Sequence, residues 1–176
     1  MELYTIIIFS ENQPGLLSQV SSTFTRRQMN IESLTVSASS IEGIHKFILT
    51  TMATESSIEK VVKQIEKRVD VVKAYFYRDE EIIYQEVALY KVATDALLDF
   101  AEVELLVRRS NAQFLEITRQ YAVLQLTGHT EETQQFFEAL KPFGVMQFVR
   151  SGRVAITKSS SEILSKFLQD RMSTQG

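Results

Sequence analysis

The junction between the first apolar segment and the first helical pattern carries residues suited to binding a small anionic ligand. It reads Glu11-Asn12-Gln13-Pro14-Gly15. The start of a helix presents unpaired backbone N–H groups and a partial positive charge, and both favour a carboxylate. Gly15 has no side chain, so a ligand can approach its backbone closely. The junction therefore indicates a possible carboxylate-binding helix start.

Two asparagines add polar groups to this candidate site. Asn12 and Asn30 both fall at loop ends, and we expect them on the same edge of the predicted sheet. A side-chain amide accepts a hydrogen bond from an ammonium group and donates one to a carboxylate, as an α-amino acid requires. A simpler interpretation makes Asn12 and Gly15 turn residues and Asn30 the entry to a strand. The residues alone leave both interpretations open.

The sequence lacks the common catalytic and metal-binding patterns. Without cysteine, the chain has no disulfide, thiolate metal site or cysteine nucleophile. Its two histidines, His45 and His129, do not have metal-ligand spacing. No Gly-x-Ser-x-Gly elbow, Walker loop or dinucleotide fingerprint occurs. We therefore expect neither catalytic residues nor a metal site in this chain.

A second polar motif, Arg150-Ser151-Gly152-Arg153, lies near the end of the chain. It is compatible with a polar turn between two strands. Arginine also forms forked hydrogen bonds with carboxylates, so Arg150 and Arg153 are candidate contacts with an acidic surface of a partner protein. Both interpretations stay open at this point.

Composition limits the classes of partner. Hydrophobic residues make up 44% of the 176 residues and charged residues 23%, which is ordinary for a soluble protein. The formal net charge of -3 argues against nucleic acid, because phosphate neutralisation needs clustered Lys and Arg. No apolar run approaches the ~20 residues of a membrane span, and no secretion signal is evident. We expect a cytoplasmic protein that binds neither nucleic acid nor membranes.

The elements that must position these residues follow a regular order in the first half of the chain. Strand patterns occupy residues 4–9, 31–38, 44–52 and 71–77. Two helical stripes lie between them, formed by Leu16, Leu17, Val20 and Phe24 and by Ile58, Val61, Val62, Ile65 and Val69. This βαββαβ order predicts a ferredoxin-like domain, with a four-stranded antiparallel sheet and two helices on one face.

The same order returns after the charged segment 78–81. Strand patterns occupy residues 86–92, 112–117, 121–126, 144–148 and 154–156. One helical stripe runs through Leu97, Leu98, Ala101, Leu105 and Leu106, and another begins at Thr130. The predicted fold class is α+β, with two ferredoxin-like βαββαβ domains in tandem. We place the domains at 1–78 and 82–158, followed by an amphipathic tail helix at 159–176.

Several of these segments resemble one protein family. Residues 11–20, together with Asn30-Ile31-Glu32-Ser33-Leu34-Thr35-Val36, resemble the N-terminal ACT domain of the small regulatory subunits of acetohydroxyacid synthase (acetolactate synthase). Residues 86–92 and 150–155 resemble the opening and closing segments of that family's second domain. The resemblance covers nearly the whole chain, and the helix at 95–109 and the tail beyond Lys158 depart from it.

The resemblance implies a regulatory, non-catalytic subunit that serves branched-chain amino acid biosynthesis. In this family valine binds at the interface between two ACT domains of a homodimer. The implied contacts here are Asn12, Gly15 and Asn30, with Ile31 nearby and with Pro14 and Leu16 shaping the pocket. The chain would activate a catalytic large subunit and make it sensitive to feedback inhibition by valine. Thiamin diphosphate, magnesium and FAD would all belong to that catalytic partner, and no cofactor to this chain.

Two other functions are compatible with the same fold. A tandem ACT-type regulator could sense an amino acid and act on another enzyme or on transcription, and co-purification with a thiamin-dependent synthase would distinguish it. RNA-recognition modules share the ferredoxin-like order but stack bases on exposed aromatic residues. The corresponding face here carries Ser33, Thr35 and Ser37, which makes RNA binding the weaker alternative.

Overall fold

The first repeat folds around one long strand. The computed structural model describes residues 1–95 and 101–159. The elements of the first repeat are β1 (Glu2–Glu11), α1 (Leu16–Thr25), β2 (Ser33–Ala38), β3 (Ile44–Ala53), α2 (Glu55–Glu66) and β4 (Val71–Tyr77). β1 pairs with β3 on one side and β4 on the other, the sheet order is β2-β3-β1-β4, and all three pairings are antiparallel.

The core of this repeat lies between the sheet and its two helices. Alternate residues of β1 point the same way, so Tyr4, Ile6 and Ile8 face the helices and are buried there. The helices contribute apolar stripes that include Leu16, Val20, Phe24, Ile58, Val61 and Ile65. Burying each large apolar side chain contributes about 1.5–3 kcal/mol, which holds both helices against the sheet.

The second repeat forms a sheet of the same order. The elements are β5 (Ile82–Ala93), α3 (Ala101–Arg109), β6 (Gln113–Ile117), β7 (Tyr121–Gly128), α4 (Thr130–Leu140), β8 (Val145–Arg150) and β9 (Val154–Thr157). β7 lies between β6 and β5, β8 pairs with the other side of β5, and β9 also pairs with β5. The core contains Tyr90, Leu124, Phe136 and Leu140.

These elements confirm the α+β class with two ferredoxin-like domains in tandem. The chain divides into two compact units, one formed by residues 1–83 with the described residues from Ala155 onward and the other by residues 84–154. Within the described residues, every helix is too short or too polar to cross a membrane. The expected contributions of Leu97 and Leu98, and the tail helix from residue 160 onward, lie outside the described residues.

The second helix is shorter than its apolar stripe predicts. α2 ends at Glu66, and Val69 is 96% exposed, so the assignment of Val69 to the buried stripe is wrong. After the helix the chain turns towards β4 through hydrogen bonds from Arg68 N to Ile65 O and from Val71 N to Arg68 O. The helix does not continue past this turn, so Val69 does not lie on the buried face of α2.

Substitution at the two ends of the stripe tests this boundary. Ile65 is fully buried in the core, so Ile65→Ala should lower the free energy of unfolding by about 2–5 kcal/mol. Val69→Ala removes an exposed side chain and should change it by less than about 0.5 kcal/mol. Urea denaturation followed by circular dichroism measures both, and a comparable loss in the two variants would contradict the assigned end of α2.

Candidate functional site

Backbone hydrogen bonds hold the first part of the loop that joins β1 to α1. Glu11 N donates to Asp70 O at 2.9 Å, and Asn12 N donates to Gly43 O at 3.2 Å. Asp70 immediately precedes β4, and Gly43 lies in the turn between β2 and β3. The loop is thus tied to two different segments, while the side chain of Asn12 is exposed to solvent.

Gly15 is the residue immediately before α1 and adopts a left-handed conformation. Its φ is 87° and its ψ is -9°, a region that side-chain-bearing residues seldom occupy. A β-carbon built on Gly15 would meet no heavy atom within 4 Å, so the backbone there faces open space. Among the described residues, no side chain caps the helix start. Leu16 N already donates to Gln13 O at 3.4 Å, so the remaining N–H groups of the first turn are the ones that an anionic ligand could reach.

The residues beside Gly15 divide between solvent and core. Pro14 is exposed in the turn that precedes the helix. Leu16 is only 2% exposed and belongs to the hydrophobic core. The side chain of Leu16 therefore secures α1 to the sheet, and its N–H donates to Gln13 O at 3.4 Å.

Asn30 lies at the opposite end of the sheet from Asn12. Its carbonyl accepts a hydrogen bond from Thr51 Oγ1 at 2.6 Å, and Thr51 pairs with Tyr4 near the start of β1. Glu11 lies seven residues further along β1, which corresponds to roughly 23 Å of extended strand. The expectation that the two asparagines share one edge of the sheet is therefore wrong for a single chain.

The topology explains this separation. β3 is antiparallel to both β1 and β2, so β1 and β2 run in the same direction. The chain must return through α1 along the full length of the sheet before it enters β2. The residues before α1 and the residues before β2 consequently lie at opposite ends.

The surroundings of Asn30 leave it accessible. Its side chain is exposed, and Asn30 Nδ2 donates to Glu32 Oε1 at 3.0 Å. The neighbouring Ile31 is half-buried and packs against the core. β2, which follows, is an edge strand of the sheet, and Val36 on it is 41% exposed. An exposed edge with apolar side chains is typical of a strand that pairs with another chain.

The Arg150–Arg153 motif fastens the end of β8 to β5. Ser151 N donates to Val87 O at 2.9 Å, and Val87 N donates to Ser151 Oγ at 3.0 Å. Arg150 Nη1 approaches the carbonyl of Thr130 at 3.3 Å. The motif is thus an integral part of the second domain, as expected of a polar connection between strands.

A buried ionic cluster, formed by Glu86, Arg150 and Arg153, lies beneath this motif. Glu86 is 5% exposed, and its Oε2 is 3.2 Å from Arg150 Nε. Arg153 is 2% exposed; its Nε lies 3.9 Å from Glu86 Oε1, and its guanidinium stacks over the Tyr84 ring at 3.8 Å. Thr130 Oγ1 donates to Glu86 Oε1 at 2.6 Å. A carboxylate removed from water in this way requires charged and hydrogen-bonded neighbours.

Glu86 is not among the candidate residues singled out from the sequence, although the alternation of β5 indicates its burial. β5 alternates strictly between buried and exposed residues, and Glu86 is in phase with the buried Tyr84 and Ala88. A carboxylate at an inward position of an alternating strand indicates a buried charge. Arg153 faces the interior of its own domain, and Arg150, with 28% of its side chain exposed, is the better placed of the two arginines for the predicted partner contact.

Burial also affects the neighbouring tyrosine. Tyr90 donates its hydroxyl proton to Thr133 O at 2.7 Å. Burial raises the pKa of the Tyr90 phenol to about 12, while the positive charge of Arg150 acts in the opposite direction. Tyr90 therefore stays a neutral hydrogen-bond donor at physiological pH and is part of the domain's core.

Within residues 1–95 and 101–159, no group of three or more acidic, histidine or cysteine side chains is arranged to hold a metal ion.

Comparison with known proteins covers both repeats. Residues 6–73 match the model of the acetohydroxyacid synthase small subunit-like ACT domain, and residues 85–159 match that of the small subunit of acetolactate synthase. The acetolactate synthase small subunit of Mycolicibacterium smegmatis is 28% identical over 155 residues, which is 88% of this chain and 91% of that protein. That of Bacillus subtilis is 28% identical over 152 residues, or 86% and 88%.

A solved structure has a similar fold over most of the chain. The crystal structure of the acetolactate synthase small subunit from Thermotoga maritima superposes with a TM-score of 0.82 at 28% identity. The match covers 92% of this chain and 100% of the other. The similarity therefore includes both ferredoxin-like domains.

The buried ionic cluster should be important for stability. Glu86→Gln keeps the size of the side chain but removes the charge that faces two arginines, so it should lower the free energy of unfolding by about 3 kcal/mol. Glu138→Gln is the matched control, because Glu138 forms an exposed ion pair with Lys141 and such pairs contribute little. Chemical denaturation measures both variants, and equal stabilities would contradict the structural role of Glu86.

Proposed function

This chain belongs to the acetolactate synthase small-subunit family, and from that premise we propose that it activates the catalytic large subunit and confers valine inhibition on it. Membership of the family assigns a regulatory role and implies a catalytic partner. Valine as the effector, the homodimer, the location in the cytoplasm and the partner's use of thiamin diphosphate, magnesium and FAD are parts of the proposal. The exposed loop at Asn12 and Gly15 supports it on this chain's own residues.

The separation of Asn12 and Asn30 is the observation that carries the proposal. One small amino acid cannot contact two residues at opposite ends of a sheet, so a site that uses both residues requires two chains. Antiparallel pairing of edge strand β2 with the same strand of a second copy brings them together, because a two-fold axis places each end of β2 beside the opposite end of its mate. Asn30 of one subunit then lies beside the Asn12–Gly15 loop of the other.

The chemistry of this shared site fits an α-amino acid. The ligand carboxylate would rest near Gly15 on the first-turn N–H groups that follow Leu16, where the helix charge is positive. Asn12 and Asn30 of the partner subunit would hydrogen-bond the ammonium and carboxylate groups. Ile31 lies next to Asn30 and would contribute to an apolar wall for the isopropyl group. Such a wall separates ligands that differ by one methylene by only ~1–3 kcal/mol, so modest binding of leucine and isoleucine is expected.

Inhibition requires that valine distinguish two states of the complex. If valine prefers the dimer conformation in which the catalytic subunit is less active, binding shifts the population towards that state. Linkage is reciprocal: the catalytic subunit must change the affinity for valine by the same factor by which valine changes the affinity for the catalytic subunit. The coupling free energy is commonly ~1–3 kcal/mol. The coupling between the two binding events is therefore measurable from either side.

Calorimetric titration of the purified chain with valine tests the effector site. Saturable binding is expected for the wild type, weaker binding for leucine and none for glycine. Asn30→Ala should abolish valine binding and valine inhibition but leave activation of the synthase intact, because Asn30 belongs to the first domain and the proposed contact with the catalytic subunit involves the second. A folded wild-type dimer that does not bind valine would contradict the assignment of the effector. Joint loss of inhibition and activation in Asn30→Ala would contradict the separation of the two roles.

A mixing experiment tests whether the site is shared between subunits. Asn12→Ala and Asn30→Ala should each abolish binding in their own homodimers. After denaturation and refolding of an equimolar mixture, half of the dimers are hybrids, and each hybrid has one site with both asparagines intact. About a quarter of the wild-type binding capacity should therefore return in the calorimeter. No recovery in mixed dimers whose formation is verified by mass spectrometry would place both asparagines in the site of a single chain.

A further inference from the structure

The turn between β2 and β3 is closed by its own hydrogen bonds. Ser39 N donates to Ile44 O at 2.8 Å, and Ile44 N donates to Ile41 O at 3.1 Å. Ser39 Oγ accepts a hydrogen bond from Ile41 N at 3.1 Å. These contacts fix the path of the backbone from Ser39 to Ile44, so the groups at the tip of the turn point in defined directions.

Gly43, the last residue of the turn before β3, bonds to the candidate effector loop. Its carbonyl accepts the hydrogen bond from Asn12 N at 3.2 Å. The φ angle of Gly43 is +78°, and a β-carbon added there would meet no heavy atom within 4 Å. Space around the residue therefore permits a side chain, and only the left-handed backbone conformation favours glycine. A change of residue at position 43 would act on the direction of that carbonyl.

The loop has a second anchor that does not involve the turn. Glu11 N donates to Asp70 O at 2.9 Å, and Glu11 is the last residue of β1. That bond holds the strand end, but Asn12 is the next residue and is directed by the carbonyl of Gly43. Gly15 follows only three residues later and precedes the first turn of α1. The conformation of the turn therefore influences the orientation of both ligand-binding residues.

We propose that Gly43 is a positioning residue for the effector site and that the β2–β3 turn links this site to the dimer contact. This inference rests on the proposed function. The turn continues directly into β2, the edge strand that would pair with the second subunit. A displacement of β2 at the dimer interface would reach the Asn12 loop through the β3 ladder and, most directly, through the turn and its hydrogen bond from Asn12 N to Gly43 O. When the turn leaves the left-handed conformation, the fraction of chains that can bind valine falls, and the apparent dissociation constant rises by the same factor.

Three glycine variants test this inference in the full-length chain. Gly43→Ala should weaken valine binding by about tenfold, because alanine disfavours the left-handed conformation that binding requires. Gly43→Asn should restore near-wild-type affinity, since asparagine tolerates that conformation. Gly144→Ala is the control: Gly144 also has a positive φ and open space around it, but it lies in the second domain. It should lower thermal stability without changing the affinity for valine. Equal valine affinity in Gly43→Ala and the wild type would overturn the inference.

Amide hydrogen exchange provides a readout that does not depend on valine. The Asn12 amide should exchange several-fold faster in Gly43→Ala than in the wild type, and Gly144→Ala should leave it unchanged. Unchanged exchange at Asn12 in Gly43→Ala would overturn the positioning role whatever the effector is. Faster exchange at Asn12 in a chain whose wild type binds no valine would instead contradict the valine assignment and retain Gly43 as the residue that positions the loop.

Discussion

The parallel direction of β1 and β2, with β3 between them, is the constraint on which the candidate site depends. Since both strands run the same way, α1 must cross the sheet from end to end. The loop before α1 and the segment before β2 cannot meet within one chain. The sheet order β2-β3-β1-β4 also makes β2 an edge strand, and an exposed edge can pair with another strand. A ligand site that uses both segments would therefore need two chains, and in the proposed dimer its effector would respond to the contact between them.

The two domains use the same topology for different purposes. In each, the first helix is followed by a non-glycine residue with a φ of 54°, Gln28 in the first domain and Asn111 in the second. In the first domain the loop before this helix is exposed and held by main-chain bonds. In the second domain, the start of β5 instead contributes a carboxylate to the buried ionic cluster. The first domain therefore leaves polar groups exposed, while the second places a buried carboxylate beside two arginines.

The buried ionic cluster also revises the interpretation of an arginine motif. Two arginines around a serine and a glycine resemble a contact for an acidic surface, but Arg153 already faces Glu86 and Tyr84. Removing charges from water is costly unless they are paired, so Glu86 and Arg153 specify how β5 and the segment after β8 fit together. Ser151 reinforces that fit by exchanging two hydrogen bonds with Val87.

The fold class and the family could be predicted from the sequence alone. Alternating and helical apolar patterns predicted both βαββαβ repeats, and the Asn12–Gly15 and Asn30–Val36 segments predicted the family, because local periodicity and short motifs are properties of consecutive residues. Tertiary structure decided what depends on residues far apart in sequence. Val69 is exposed because the chain turns after α2, and Glu86 is matched to arginines more than sixty positions away. The predicted βαββαβ order already implies that β1 and β2 run in the same direction. Which residues lie at each end of the sheet, and hence the separation of Asn12 from Asn30, is settled only by the register of β3 with β1 and β2.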